Sequence, residues 1–298
     1  MKSRRLFFAV LAAFTFSIAH AQDSTVRFEH FFIPMKQGFF GAKLSTYLYL
    51  PPGQGPFPLV VLNHGKSPGG QMQPDTMFKW QARVFLERGY AVLAPNRPGL
   101  GKSTGGYISG CDVKDNARVW AESVQAAIDY ARKLPEIDDK KIVVIGQSQG
   151  GITSVALGER NLPGVLGIVN FAGGSRDERC GGWEGGLVDS YKAYGADSTI
   201  PTIFFYGDND GHWGDGTLSK QFFSAYHAGN PNSTYVDEGN FADGDAHHFF
   251  SKDGYYAWDK PLWQFFDGLG LNSQVIPADK EAVKAAADAK VFAKAIEQ

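Results

Sequence analysis

Apolar residues along this chain fall into short unbroken blocks, separated by longer stretches in which they recur at helical spacing. The blocks at 57–62, 89–94, 141–145, 165–171 and 200–205 are rich in Val, Ile, Leu and Phe. Runs of that length, closed by Gly, Asn or Pro, read as strands buried on both faces. Two further strands are predicted first, at 24–35 and 39–52. The second alternates, with Leu44, Thr46, Leu48 and Leu50 on one face, until Pro51-Pro52 stops it. Asp112 can cap a long helix whose apolar face is Val113, Ala117, Trp120, Val124, Ile128, Ala131 and Leu134, and Pro135 ends it. Helices are also predicted at 75–88, 149–160, 216–228 and 257–268, with a short strand at 233–237. Strands alternating with helices predict an α/β domain, a mostly parallel central sheet of about eight strands with helices on both faces.

Neither a repeat nor a linker interrupts the pattern, so residues 22–272 are expected to form one domain. The Ala- and charge-rich end, 273–298, is expected to add a helical extension. The N-terminus reads as a processing segment. Lys2, Arg4 and Arg5 precede an apolar run, and Ala19-His20-Ala21 is a small-x-small cleavage signal. Residues 1–21 are therefore expected to be removed, leaving a mature chain from Gln22 that is exported, periplasmic or secreted. Ser3-Arg4-Arg5-Leu6-Phe7 also resembles a twin-arginine signal, although so apolar a run favours the general secretory route. A net charge of -2 gives no electrostatic reason to expect nucleic acid or acidic membranes as partners. The two cysteines, Cys111 and Cys180, can bridge in an oxidising compartment; spacing leaves a bridge and two free thiols both open.

The pattern Gly-x-Ser-x-Gly occurs three times, around Ser67, Ser103 and Ser148. As a nucleophile turn it must join a strand to a helix, so that a strained backbone presents the serine above the strand end. Ser67 fails, because Pro68 and two glycines follow. Ser103 fails for the same reason, with Gly105 and Gly106 next. The stretch "NRPGLGKST" also misses a phosphate loop, since Asn96 stands where that motif needs glycine and no helix follows. Ser148 passes, with the block 141–145 before it and a predicted helix after it.

These pieces resemble the α/β-hydrolase superfamily, and within it the dienelactone hydrolase-like and esterase branch, over residues 57–266. Asn63-His64-Gly65-Lys66 is similar to the family's His-Gly turn after its third strand. Residues 96–103 resemble its Asp-x-Arg-Gly-x-Gly-x-Ser loop, a structural site, and the serine turn follows the fifth strand. One departure is the nucleophile itself, cysteine in dienelactone hydrolases proper and Ser148 here. The resemblance implies the α/β-hydrolase fold and the chain order serine, acid, histidine. It places the acid at Asp210 of "FFYGDNDGHW", with Asp208 in reserve, and the base in "GDAHHFF", at His247 with His248 as its rival. It implies an oxyanion hole made by the backbone N–H groups of Gln149 and Lys66, with His64 structural and His212 at the surface.

The reaction expected is cleavage of a small-molecule carboxylic ester, a short acyl ester or lactone, through an acyl-enzyme on Ser148. A peptidase or acyltransferase using the same groups, or a silent binding scaffold, are the competing readings. No cofactor is expected. Asp208, Asp210, His212, Asp243, Asp245, His247 and His248 do not have the spacing of a calcium loop or a His-x-x-x-His site, so no metal is expected either. The interval 172–200 is short and Gly-rich, which predicts a minimal lid. Trp183 and Trp213, in flanking loops, are candidates to line a substrate pocket.

Overall fold

The computed structural model describes residues 24–67, 73–242 and 244–292; the processing segment 1–21 lies outside them. Eight strands form one sheet: β1 (Arg27–Met35), β2 (Ala42–Leu50), β3 (Phe57–Asn63), β4 (Ala91–Pro95), β5 (Ile137–Gln147), β6 (Val165–Phe171), β7 (Thr202–Tyr206) and β8 (Ser233–Asp237). Their spatial order is β1-β2-β4-β3-β5-β6-β7-β8. β1 and β2 form an antiparallel hairpin, β2 also runs antiparallel to β4, and every pair from β4 to β8 is parallel. Parallel neighbours need crossovers, and the predicted helices supply them.

The helices are α1 (Lys79–Leu86), α2 (Val113–Ala131), α3 (Gln149–Gly158), α4 (Trp183–Asp197), α5 (Thr217–His227), α6 (Tyr255–Gly268) and α7 (Pro277–Asp288). Helices α2, α3, α4 and α5 pack against one another over one face. On the other, α1 meets α6 through Trp80 against Trp258 and Phe85 against Phe266. Strands β3 to β7 are shut away between the two layers, which is why they read as unbroken apolar blocks. Asp112 caps α2 as anticipated, its carboxylate accepting from the Asp115 N–H at 3.0 Å.

Two elements depart from the periodicity. Helix α1 starts four residues later than the expected 75–88, because Asp75 is engaged elsewhere. Its carboxylate accepts from Ser45 Oγ at 2.6 Å, Tyr47 OH at 2.8 Å and the Lys102 N–H at 2.6 Å. Helix α4 has no counterpart in the sequence pattern, since four glycines lower the helix propensity of 182–195. Tertiary packing forms it nonetheless, burying Leu187, Tyr191 and Tyr194. Gly195 lets it pass close to α5, where a Cβ would lie 2.1 Å from the Tyr226 carbonyl oxygen.

Pro277 opens α7 at the position where a missing N–H costs nothing. Val283, Ala286 and Phe292 join the main core, and the Arg88 guanidinium, 3.9 Å from the Trp263 ring, donates to the Ser273 carbonyl. The described part of the C-terminal extension is thus docked on α1, and Phe292 reaches Phe28 of β1 and Tyr49 of β2.

Candidate active site

β5 delivers Ser148 into α3 with φ 56 and ψ -125, a conformation that a residue with a side chain rarely adopts. The two motif glycines make it possible. A Cβ on Gly146 would lie 2.0 Å from the Gly150 carbonyl oxygen, and one on Gly150 would lie 2.1 Å from that of Asn63. Backbone bonds hold the turn from outside: the Ser148 N–H donates to Phe171 O at 2.9 Å, and Ser148 O accepts from Gly174 N–H at 3.0 Å. Ser103, by contrast, is buried and donates to Asn96 O, bracing the 96–104 loop. Ser67 lines the cleft in the segment 64–67, which has no regular secondary structure.

Asp210 and His247 come from loops after β7 and β8. Ser148 Oγ lies 2.9 Å from His247 Nε2, and His247 Nδ1 lies 3.1 Å from each Asp210 oxygen. Asp210 and His247 are both buried. Asp210 Oδ1 also accepts from the His212 and Trp213 N–H groups at 2.8 and 3.1 Å. Asp208 faces Lys220 instead, at 3.8 Å. His248, next to His247 on a 3₁₀ turn (Ala246–His248), is exposed and borders a separate hollow of about 390 Å³ with Gln147 and Phe250.

Three residues passed over in the sequence hold these loops together. Asp245 Oδ1 accepts from both the His247 and the Gly211 N–H at 2.8 Å, linking the histidine loop to the aspartate loop. Burial works against its charge, but those donors, with His247 and His248 beside it, hold the Asp245 carboxyl below its ordinary range. Asn209 spans the same gap, donating to Phe241 O and Gly244 O. Gln147, the residue before Ser148, donates to His247 O at 2.8 Å and so ties the histidine to the serine turn. Asp and Asn side chains bonding nearby backbone are ordinary turn chemistry, so no spacing rule could single these out.

The Gln149 N–H opens the first turn of α3, where N–H groups have no partner within the helix. Gly65 abuts Ser148, a Cβ there coming 3.1 Å from the serine Cβ, so Lys66 is brought to the same cleft. His64 is buried: its Nδ1 donates to Gly65 O at 2.7 Å and its Nε2 accepts from the Arg97 N–H at 3.0 Å. Burial, reinforced by the Arg97 charge, pushes its pKa well below the usual imidazole value, so it is neutral. His212 is half-buried rather than a surface residue, its ring 4.1 Å from that of His247. Burial, then His247 and Arg176, lower its pKa too.

Ser148, Lys66, Gln149, His212 and Trp213 line a cleft of about 830 Å³ with Tyr107 and residues 174–179. Trp213 is buried in its wall and donates from Nε1 to Ala172 O at 2.7 Å. Trp183 corrects the expectation made for it, since it opens α4 and is not part of the lining. The Arg176 guanidinium lies 5.5 Å from the Trp183 ring, and Arg176 is the residue that faces the cleft. A disulfide joins Cys111 to Cys180, with Cα atoms 5.4 Å apart, so the loop before α2 and the loop before α4 are stapled beside the rim. Among the described residues, no group of three or more His, Cys, Asp or Glu side chains is placed to hold a metal ion.

The model of a family described as X-Pro dipeptidyl-peptidase (S15 family) matches residues 41–255. The chain is 33% identical over 134 residues to the quorum-quenching protein AidA of Acinetobacter baumannii, covering 44% of this chain and 41% of that one. It is 31% identical over 119 residues to dipeptidyl-peptidase 5 of Porphyromonas gingivalis, 38% of this chain and 17% of the relative. The matched segments thus span less than half of either relative. Among solved structures, esterase 2 of Thermogutta terrifontis, phosphorylated by paraoxon, superposes with a TM-score of 0.59 at 18% identity. That superposition covers 83% of this chain and 96% of the esterase, a likeness of fold.

Proposed function

The chain belongs to the X-Pro dipeptidyl-peptidase (S15) family of the α/β-hydrolase superfamily, and on that footing we propose that it is an exported serine hydrolase of carboxylic esters, short acyl esters or lactones. The observation that carries this reading is the hydrogen-bond chain from Ser148 Oγ through His247 to buried Asp210, opening on a cleft large enough for a small substrate. A serine hydroxyl is a poor nucleophile until a base takes its proton. His247 Nε2 takes it as Ser148 Oγ attacks the carbonyl carbon, and Asp210 holds the imidazole in the required tautomer and stabilises the imidazolium. The Lys66 and Gln149 N–H groups receive the oxyanion. Collapse breaks the ester bond and the alcohol leaves with the proton from His247. A water, deprotonated by His247, then releases the acid from the acyl-serine.

A second reading has its own support, since the family and one relative are named for dipeptidyl-peptidases. Recognition of a free peptide amino group needs an available carboxylate. The cleft offers Asp177 and Glu178, but Asp177 pairs with Arg179 and Glu178 with Arg176. Glu178 is 77% exposed, and so weak a pair leaves its carboxylate open to a peptide amino group. Export rests on the N-terminal pattern alone, and N-terminal sequencing of the secreted product should begin at Gln22.

The deciding experiment sets fluorophosphonate labelling and p-nitrophenyl butyrate hydrolysis beside hydrolysis of an X-Pro p-nitroanilide, in wild type and Ser148→Ala. Labelling and ester turnover in wild type, both lost in the variant, is the expected result. Preference for the anilide would move the activity to the peptidase reading. An unlabelled, folded wild type would leave a binding scaffold.

A further inference from the structure

Arg97 carries its guanidinium into the core beside the serine turn. It is fully buried, and among the described residues no carboxylate pairs with it. Burial lowers its pKa to about 10, with the Tyr107 hydroxyl partly offsetting, so it stays charged at neutral pH. Its partners are oxygens of two particular segments. Nη1 donates to His64 O at 2.5 Å, while Nη2 donates to Gly65 O at 3.3 Å and to the Gln149 side-chain Oε1 at 3.0 Å. Its own N–H meets His64 Nε2, and its Nε is buried with no partner. A buried charge without an ion pair is costly, so its retention calls for a physical reason.

Resting on the serine-hydrolase reading, we propose that Arg97 is the positioning residue of the oxyanion hole. Gly65 C=O and Lys66 N–H belong to one planar trans peptide, so their directions are opposed. Arg97 Nη2 and His64 Nδ1 both donate to that carbonyl, which aims the Lys66 N–H away from them and polarises it. The same guanidinium grips Gln149, the residue that contributes the other N–H. Tyr107 OH and Ser175 Oγ accept from Gln149 Nε2 at 2.7 and 3.3 Å and complete its fixation. One planar fork therefore sets the spacing between donors that come from the loops after β3 and β5.

The test compares Arg97→Met, Arg97→Lys and Gln149→Leu with wild type. It reads kcat and KM for p-nitrophenyl butyrate, affinity for an alkyl boronic acid that forms a tetrahedral adduct, and Tm. Loss of aligned oxyanion donors falls on kcat, at roughly 10²-fold to 10³-fold per donor. Arg97→Met should lose about 100-fold in kcat with KM within about threefold, and its boronate affinity should fall in step. Arg97→Lys keeps the charge but not the fork, and should recover only part of the loss. Gln149→Leu keeps its backbone N–H and removes one arm of the clamp, so it reports even where Arg97→Met fails to fold. Its effect and that of Arg97→Lys should be non-additive. A folded Arg97→Met with kcat within threefold of wild type overturns the proposal. So does a loss carried by KM alone, or strict additivity of Arg97→Lys with Gln149→Leu. Failure of the hydrolase reading looks different: wild type itself neither labels nor turns over, and the clamp falls with it.

Discussion

The two halves of the candidate site are built in opposite ways. The serine half is a single continuous segment, β5 running through Ser148 into α3, pressed between strands and closed by glycines that leave no room for a Cβ. The acid–base half consists of two loops after β7 and β8, and side chains bonding backbone hold it: Asp210 to 212 and 213, Asp245 to 211 and 247, Asn209 to 241 and 244. Packing makes the first half rigid; a few polar contacts make the second half correct. The serine half should therefore answer to volume, and the loop half to the loss of single hydrogen bonds.

The largest effect should come from Asp210→Asn. An amide of the same size preserves the loop but withdraws the negative charge and favours the wrong histidine tautomer. A fall in kcat of about 10⁴-fold is expected, with little change in Tm. A modest loss would remove Asp210 from the chemistry, and steady-state hydrolysis of p-nitrophenyl butyrate reads it directly.

A smaller loss should follow Asp245→Ala, which deletes the acceptor shared by Gly211 and His247. Two N–H groups losing their charged partner should cost about 1–3 kcal/mol, read by denaturant unfolding. The kcat should fall about tenfold as His247 loosens. Equal losses of stability without any change in kcat would mean that Gln147 alone is sufficient to place the histidine.

The smallest effect concerns Glu238, just after β8. Burial, with Asp237 adding repulsion, raises its carboxyl to about 7, and its Oε1 is buried with no partner. The folded state thus holds the proton more tightly than the unfolded chain, where the group titrates near 4.5. Its contribution is intact below that lower value and is lost as pH rises through about 7. Glu238→Gln should accordingly melt higher than wild type at pH 8, with the difference closing by pH 4. A constant difference across that range would contradict the assignment.

Much of this architecture is legible in the chain because burial writes itself into local pattern. Strands enclosed on both faces show as apolar blocks, α2 shows as a periodic stripe behind Asp112, and the turn at Ser148 shows as glycines between a strand and a helix. The α/β-hydrolase fold expected from those pieces is the fold observed. Helix α4 escapes the same logic because its glycines lower helix propensity locally, while the burial of Leu187, Tyr191 and Tyr194 that forms it, with Gly195 against α5, is tertiary. Trp183 escapes with it, since a residue read as loop is the first of that helix.

What the sequence determined alone was whatever neighbouring residues settle among themselves: the order of strands and helices, the caps, and which of three serines stands on a strand-to-helix turn. The tertiary structure decided what depends on distance. It turned His247 to the serine and His248 to another hollow, chose Asp210 over Asp208, joined Cys111 to Cys180, and set Arg97 between Gly65 and Gln149. Each of those outcomes turns on a hydrogen bond or a covalent bond between segments far apart in the chain. Such bonds act over about 3 Å or less and leave no periodicity to read.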